Sequence, residues 1–294
     1  MQVQQQADLD LRVEDIRSKI YREMEHRYLT DFLPSPELEI AQLVMAEAMM
    51  RAAGLSARDT ETVVSSLLLI YHGLAVHEEI EELAKQPNER YRQLGVLAGV
   101  YYSSKYYRLL AEVGHVALMG RFAAAIQVIN ETKAELAKNP AQFNIGSGRY
   151  LLMQERIHGA LLQAIREVFL PQDPLWEDVI TGLVRAVVLQ QELERSGGHA
   201  WTRKLDNVLL FGQANGEERR YLKGMPLEKR SDQRLVSLHV KYGTSAEIFR
   251  QVEGAVAVVE PLLLMLPGVQ IELQELCDRL TAVQPAPRRA VEEG

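Results

Sequence analysis

Apolar residues recur along this chain at the three- and four-residue spacing of helices, and no convincing two-residue alternation marks a strand. Leu11, Ile16, Ile20, Met24 and Tyr28 trace a first helix over 9–30. Pro34 and Pro36 then break the chain, with Ser35 placed to cap a new helix and Pro36 to start it. Leu38, Ala41, Met45 and Met49 carry that helix over about 36–53, up to Gly54. Ser56-Ala57-Arg58-Asp59 has the form of a capping box, with Asp in place of Glu, and opens a long apolar helix over about 58–85. Further helices are expected over about 88–112, 115–138, 146–169 and 174–194, separated by Gly114, Asn139-Pro140 and a Pro171–Pro174 turn that ends on the cap Asp173. Residues 200–230 are mostly polar, hold Gly212, Gly216, Gly224 and Pro226, and read as weakly structured. Helices resume over about 231–241, 245–265 and 269–282, and residues 285–294 have the composition of a disordered tail.

The pattern predicts one all-α domain over residues 1–284. Composition sharpens this only in places. The 47% apolar and 25% charged content is that of a chain able to bury a core. Glycine and proline are scarce, which suits long helices. The lone Cys277 can form no internal disulfide. A net charge of −7 argues against a general nucleic-acid binder. The uncharged run Thr62–His77 is shorter than a membrane span, and Met1–Leu11 lacks the basic and apolar segments of a leader. The expected location is cytoplasmic, with no membrane span.

Candidate chemistry lies in residues 64–136. Glu78, Glu79 and Glu82 follow a strongly apolar helical segment, and Glu78 and Glu82 stack one turn apart. Two carboxylates so placed can hold Mg²⁺ against a diphosphate; the same pattern also arises where a helix simply leaves the core. His72 and His77 are five residues apart and diverge around the helix, which is wrong for a metal pair. Tyr101, Tyr102, Tyr106 and Tyr107 lie on two helix faces and suit core or interface packing.

These segments resemble the trans-isoprenyl diphosphate synthases. In that family a helix ending in His-Asp-Asp-x-x-Asp precedes one that begins Leu-Ala-Gly-Asp-Tyr/Phe. Here His77 precedes Glu78-Glu79-Ile80-Glu81-Glu82, and Leu97-Ala98-Gly99 is followed by Val100 and Tyr101. The resemblance implies an isoprenoid-synthase-like orthogonal helical bundle. It also exposes losses. Glutamates replace the aspartates, no Asp-Asp-x-x-Asp occurs in the chain, and only Arg51 stands where the family has a Gly-Gly-Lys-x-x-Arg-Pro segment. A second aspartate-rich motif is expected within 205–260, where Ser245–Glu260 offers only Glu247, Glu253 and Glu260, none within one turn of another. Ionising an allylic diphosphate needs metals on the leaving group, and an added methylene misplaces a ligand for Mg²⁺.

The phrase Leu97–Leu110 is similar to component I of the heptaprenyl diphosphate synthases, the small divergent subunit of a heterodimer. That resemblance implies a non-catalytic subunit, with no catalytic residue, no metal and no cofactor of its own. Its partners would be an aspartate-bearing catalytic subunit that carries the Mg²⁺ and a C30–C35 polyprenyl diphosphate product for menaquinone. Tyr101, Tyr102, Tyr106, Leu109 and Leu110 are then candidates for the interface or the product tunnel, although core packing competes for each. Two alternatives stay open. One is an active or partly active prenyltransferase or terpene-synthase-like enzyme that uses Glu78 and Glu82 for Mg²⁺. The other is an unrelated helical interaction protein.

Overall fold

Every regular element among the described residues is a helix. The computed structural model describes residues 2–26, 29, 39–83, 89–138, 145–194, 204–224 and 233–282, and the side chains of 2–10, 77–83, 89–92 and 204 also lie outside the description. The expected Ser35 cap and the 285–294 tail fall outside it. The helices are α1 (Gln2–Met24), α2 (Ile40–Ala52), α3 (Ala57–Leu83), α4 (Glu89–Glu112), α5 (Val116–Ala137) and α6 (Ser147–Phe169), followed by α7 (Pro174–Glu194), α8 (Lys204–Gln213), α9 (Gly216–Gly224), α10 (Gln233–Lys241), α11 (Thr244–Leu263) and α12 (Gln270–Ala282). They fall into two compact units, one of Met1–Ala124, Leu161–Trp176 and Leu266–Leu273, the other of Ala125–Ala160, Glu177–Met265 and Gln274–Gly294.

The first unit is built around α3, which touches α1, α2 and α4. Residues Thr62–Ile70 are all buried, as expected of a helix that is apolar on every side. Its hydroxyls are handled locally: Ser66 Oγ donates to the Thr62 carbonyl at 2.8 Å. Helix α2 is likewise buried continuously from Gln42 to Met50.

The helix ends follow sequence signals. Gly54 and Gly114 take positive φ after α2 and α4. The N–H groups of Leu55 and His115 reach back to the carbonyls of Met50 and Leu110, which closes both ends in the Schellman manner. Ser56 Oγ accepts from the Asp59 N–H at 3.1 Å and donates to the Asp59 carboxylate at 2.6 Å. This is half of the expected box, because the shorter Asp bonds the hydroxyl. Asp173 caps α7 through the Leu175 N–H at 3.0 Å.

Charged clamps hold α1 in place. Glu23 pairs with Arg108 at 2.6 Å and with Lys105 at 3.4 Å on α4. Arg12 meets Glu47 of α2 at 2.8 Å and Glu272 of α12 at 3.4 Å. Arg51 joins the same pair of acids. Burial pushes the Glu47 carboxyl above its usual range even though Arg12 and Arg51 pull it down.

The second unit corrects one expectation. Residues 200–230 are not weakly structured throughout, because Lys204–Gln213 and Gly216–Gly224 form α8 and α9. Both are short, α9 is also polar, and they are sustained by caps and a small core. Glu192 on α7 accepts from the Tyr150 hydroxyl at 3.0 Å and from the Leu205 N–H at 3.1 Å, so a neighbouring helix caps α8. Asn215 Oδ1 accepts from the N–H groups of Glu217 and Glu218, each at 3.0 Å, and the Glu218 carboxylate accepts from the Asn215 N–H at 2.9 Å. Asn215-Gly216-Glu217-Glu218 is therefore a capping box that was readable in the sequence. Leu210, Ala214, Leu222, Leu235 and Leu238 pack beneath it.

Glu218 also accepts from Lys241 and from the Tyr242 hydroxyl, both at 2.6 Å. The hydrogen bonds from Lys241, Tyr242 and the Asn215 N–H pull its carboxyl down to about 2. An Asn215→Ala substitution is expected to cost about 1 kcal/mol. Hydrogen exchange should quicken across 216–224 first, and unchanged protection there would show that the cap is idle.

Candidate functional site

The segments that carried the candidate chemistry come together as α3 and α4. They are consecutive helices joined by a short connection and packed along their length, the arrangement of an antiparallel hairpin. Small residues set the crossing. A side-chain carbon on Gly73 would lie 2.8 Å from the Gly99 carbonyl oxygen and 3.0 Å from Ser103 Cβ, so the backbones approach as closely as glycine allows. Ser103 donates its hydroxyl to that same Gly99 carbonyl at 2.8 Å.

Glu78, Glu79 and Glu82 lie on the last turns of α3, and their side chains are outside the described residues. Among the described residues no group of three or more His, Cys, Asp or Glu side chains could hold a metal ion. Arg51 is committed to Glu47, Glu272 and the Gly268 carbonyl. Glu247 pairs with Arg250 and accepts from Gln251, and Glu260 accepts from Gln274 at 2.9 Å. The described acids therefore do not form a diphosphate–magnesium site.

The five interface or tunnel candidates divide. Tyr102, Tyr106, Leu109 and Leu110 are buried within the chain, Tyr106 at 1% exposure with its ring edge-on to Phe122. Tyr101 is half-buried, with His26 edge-on at 5.2 Å and the Lys105 ammonium 4.6 Å from the ring centre. The exposed side of α4 carries other residues. Val96, Leu97, Val100, Ser104, Tyr107 and Ala111 fall within one 100° arc of the helix, and all are exposed, Leu97 at 62% and Val100 at 56%. Val116 at the start of α5 is exposed as well. The sequence reading overlooked this face. Its signal was an α4 with apolar residues on two opposite sides, more than one core can cover.

His72 lies one residue before the crossing glycine. It is buried and its Nε2 has no hydrogen-bond partner among the described residues. Burial pushes its pKa down to about 4, so the ring is neutral at physiological pH. A lowered histidine pKa favours the folded state fully above about 6.5, and this contribution is lost as pH falls through about 4. The loss should amount to about 3 kcal/mol. Urea unfolding at neutral pH and at about pH 4 should show it in the native chain and show much less of it in His72→Asn. Equal slopes would mean that His72 is solvated.

With this geometry in hand, relatives become informative. The sequence profile of the family described as heptaprenyl diphosphate synthase (HEPPP synthase) subunit 1 matches residues 26–222. The chain belongs to this family. Component 1 of heptaprenyl diphosphate synthase from Geobacillus stearothermophilus is 38% identical over 88 residues, which are 30% of this chain and 39% of that protein. Solved structures share the fold at low identity. A decaprenyl diphosphate synthase from Rhodobacter capsulatus superposes with a TM-score of 0.76 at 18% identity, covering 95% of this chain and 98% of that one. A polyprenyl synthase from Caulobacter crescentus, solved with calcium and isoprenyl diphosphate, gives 0.75 at 15% identity over 94% and 95%. The expected all-α, isoprenoid-synthase-like fold is thus the fold of this HEPPP synthase subunit 1 family member.

Proposed function

We propose that this chain is the non-catalytic subunit of a heterodimeric C30–C35 polyprenyl diphosphate synthase, working in the cytoplasm to supply the side chain of menaquinone. One observation carries the reading: a chain of this family and fold contains no Asp-Asp pair anywhere in its 294 residues. The catalytic partner would bring the aspartate-rich motifs and their Mg²⁺. This chain would complete the assembly and help to set product length, which asks only for a wall of apolar side chains. Helices α4 and α5 are the proposed contact, with the exposed Val96, Leu97, Val100, Tyr107 and Val116 towards the partner. The buried Tyr102, Tyr106, Leu109 and Leu110 support that face from beneath.

The test combines the purified chain, farnesyl and isopentenyl diphosphates and Mg²⁺, with and without an aspartate-bearing subunit. Long-chain product is expected only when both proteins are present, and turnover by the chain alone overturns the reading. A Leu97→Glu/Val100→Glu pair should leave folding within about 0.5 kcal/mol per site, since both residues are exposed. The same pair should abolish co-purification with the catalytic subunit. A complex that survives it would move the contact elsewhere.

A further inference from the structure

Charge is unevenly spread along this chain. From Arg219 to Lys241 stand seven Lys and Arg against only Glu228 and Asp232, a local balance of +5 in a chain whose total is −7. The remainder therefore carries −12. Segregation of this kind creates a local field that a uniformly acidic protein lacks.

Part of the cluster lies on described helices. On α9 the 100° helix step puts Arg219, Lys223 and Arg220 within one 100° arc, and all three are exposed, while Glu218 and Leu222 are buried. Among the described residues no carboxylate pairs with any of the three, because Glu218 is taken by Lys241 and Tyr242. Arg219 and Lys223 stand one turn apart, where like charges destabilise a helix. Both are held towards the same ring, 5.6 and 5.5 Å from the centre of Phe211. On α10 the Arg234 guanidinium lies 4.3 Å from the Tyr221 ring centre, and Val240 is exposed. Local structure accounts for Arg219, which donates to the Phe211 and Gly212 carbonyls at the end of α8. It also accounts for Lys241. Lys223 has only the Phe211 ring, and Arg220 has no local partner among the described residues.

We propose that this face of α9, centred on Arg220 and Lys223, docks the protein on a bilayer surface of anionic lipid. The choice of occupant rests on charge and on the proposed function. A prenyl chain of some thirty carbons has no favourable place in water and must pass into a bilayer. A basic face on an otherwise acidic chain would bring the assembly to anionic headgroups, each cation adding attraction that salt screens. No helix among the described residues is long and apolar enough to cross the bilayer, so the attachment is peripheral.

The experiment is flotation of the full chain, alone and with the catalytic subunit, on phosphatidylcholine vesicles with and without phosphatidylglycerol. Binding is expected only to the anionic vesicles and should be lost at high salt. Arg220→Gln/Lys223→Gln should weaken it roughly thirtyfold, while the exposed control pair Arg58→Gln/Arg156→Gln should keep it. Equal binding to both vesicle types overturns the proposal, as does equal loss in the control pair. Release by sodium diphosphate at an ionic strength where sodium sulfate releases nothing would reassign the face to a free phosphate compound. Loss of the catalytic subunit from the Arg220/Lys223 variant, without vesicle binding by the native chain, would reassign it to an acidic protein surface. Prenyl transfer in detergent is measured separately. Transfer without vesicle binding sinks the docking face alone, and vesicle binding without transfer sinks the functional reading.

Discussion

An Arg12→Met variant is expected to lose about 3 kcal/mol of unfolding free energy at neutral pH, and most of that loss should vanish on mild acidification. The cause is Glu47, 1% exposed on α2, whose nearest cation is the Arg12 guanidinium at 2.8 Å. Arg51 stands farther off at 3.9 Å and also serves Glu272, itself a second nearby negative charge. Without the half-exposed Arg12 a buried carboxylate faces another acid with one distant cation, and leaving a buried charge without its partner is costly. The remaining Arg51 holds the figure at the lower end of the usual range.

Burial already outweighs the attraction of both arginines, since the Glu47 carboxyl lies above its ordinary range. A carboxyl raised in the folded state favours folding below its unfolded pKa, and that contribution is lost as pH rises through the folded value. Losing Arg12 raises it further, so the deficit grows from acid to neutral pH. Glu47→Gln should then cost less than about 1 kcal/mol, because the charge itself is a net burden. Urea unfolding of both variants at pH 7 and near pH 4.5 decides it. A loss in Arg12→Met that does not change with pH would place the effect in lost packing of the arginine stem.

Most of the fold was legible because its signals are local. The apolar run of α3, the glycines after α2 and α4, Ser56 and Asp173 each act within a turn of their own position, and each sits where it was expected. Helices α8 and α9 were missed because their stability is partly remote. Glu192 caps α8 from α7, and Leu235 and Leu238 cover α8 and α9 from α10. The box at Asn215 was the available local clue. At the candidate site the sequence marked α4 without separating its buried side from its exposed one. Both sides of α4 are apolar, and periodicity alone cannot say which one the rest of the chain covers. Burial resolves this in favour of Tyr102, Tyr106, Leu109 and Leu110 inside, with Leu97 and Val100 outside. Glu47 could not be recognised as a buried acid, because its partners Arg12 and Glu272 come from distant parts of the chain.

Substitution of Gly73 should have the other large effect, graded with side-chain size. In a helix interior Gly→Ala ordinarily gains about 1 kcal/mol. Here the new carbon would meet the Gly99 oxygen at 2.8 Å, Ser103 Cβ at 3.0 Å and Ser103 N at 3.1 Å. Two of these are backbone atoms of α4 and the third is fixed to that backbone, so no rotamer change relieves the contact. Overpacking of this kind costs about 1–3 kcal/mol. Set against the helix gain, Gly73→Ala should end up to about 2 kcal/mol less stable, and Gly73→Val, with two further carbons and a stiff χ1, about 3 kcal/mol less stable. Gly159 on α6 supplies the contrast, since a carbon there meets only Val184 methyls at 3.6 and 3.8 Å. Gly159→Ala should be neutral or stabilising by up to about 1 kcal/mol. Chemical unfolding of the three variants tests the crossing, and a Gly73→Ala protein as stable as Gly159→Ala would show that α4 can give way. The same series bears on the proposed partner face. A displaced α4 carries Leu97 and Val100 with it, so affinity for the catalytic subunit should fall in the order Ala, then Val, while both variants are still folded. If affinity holds while stability drops, the face works without a fixed α3–α4 crossing.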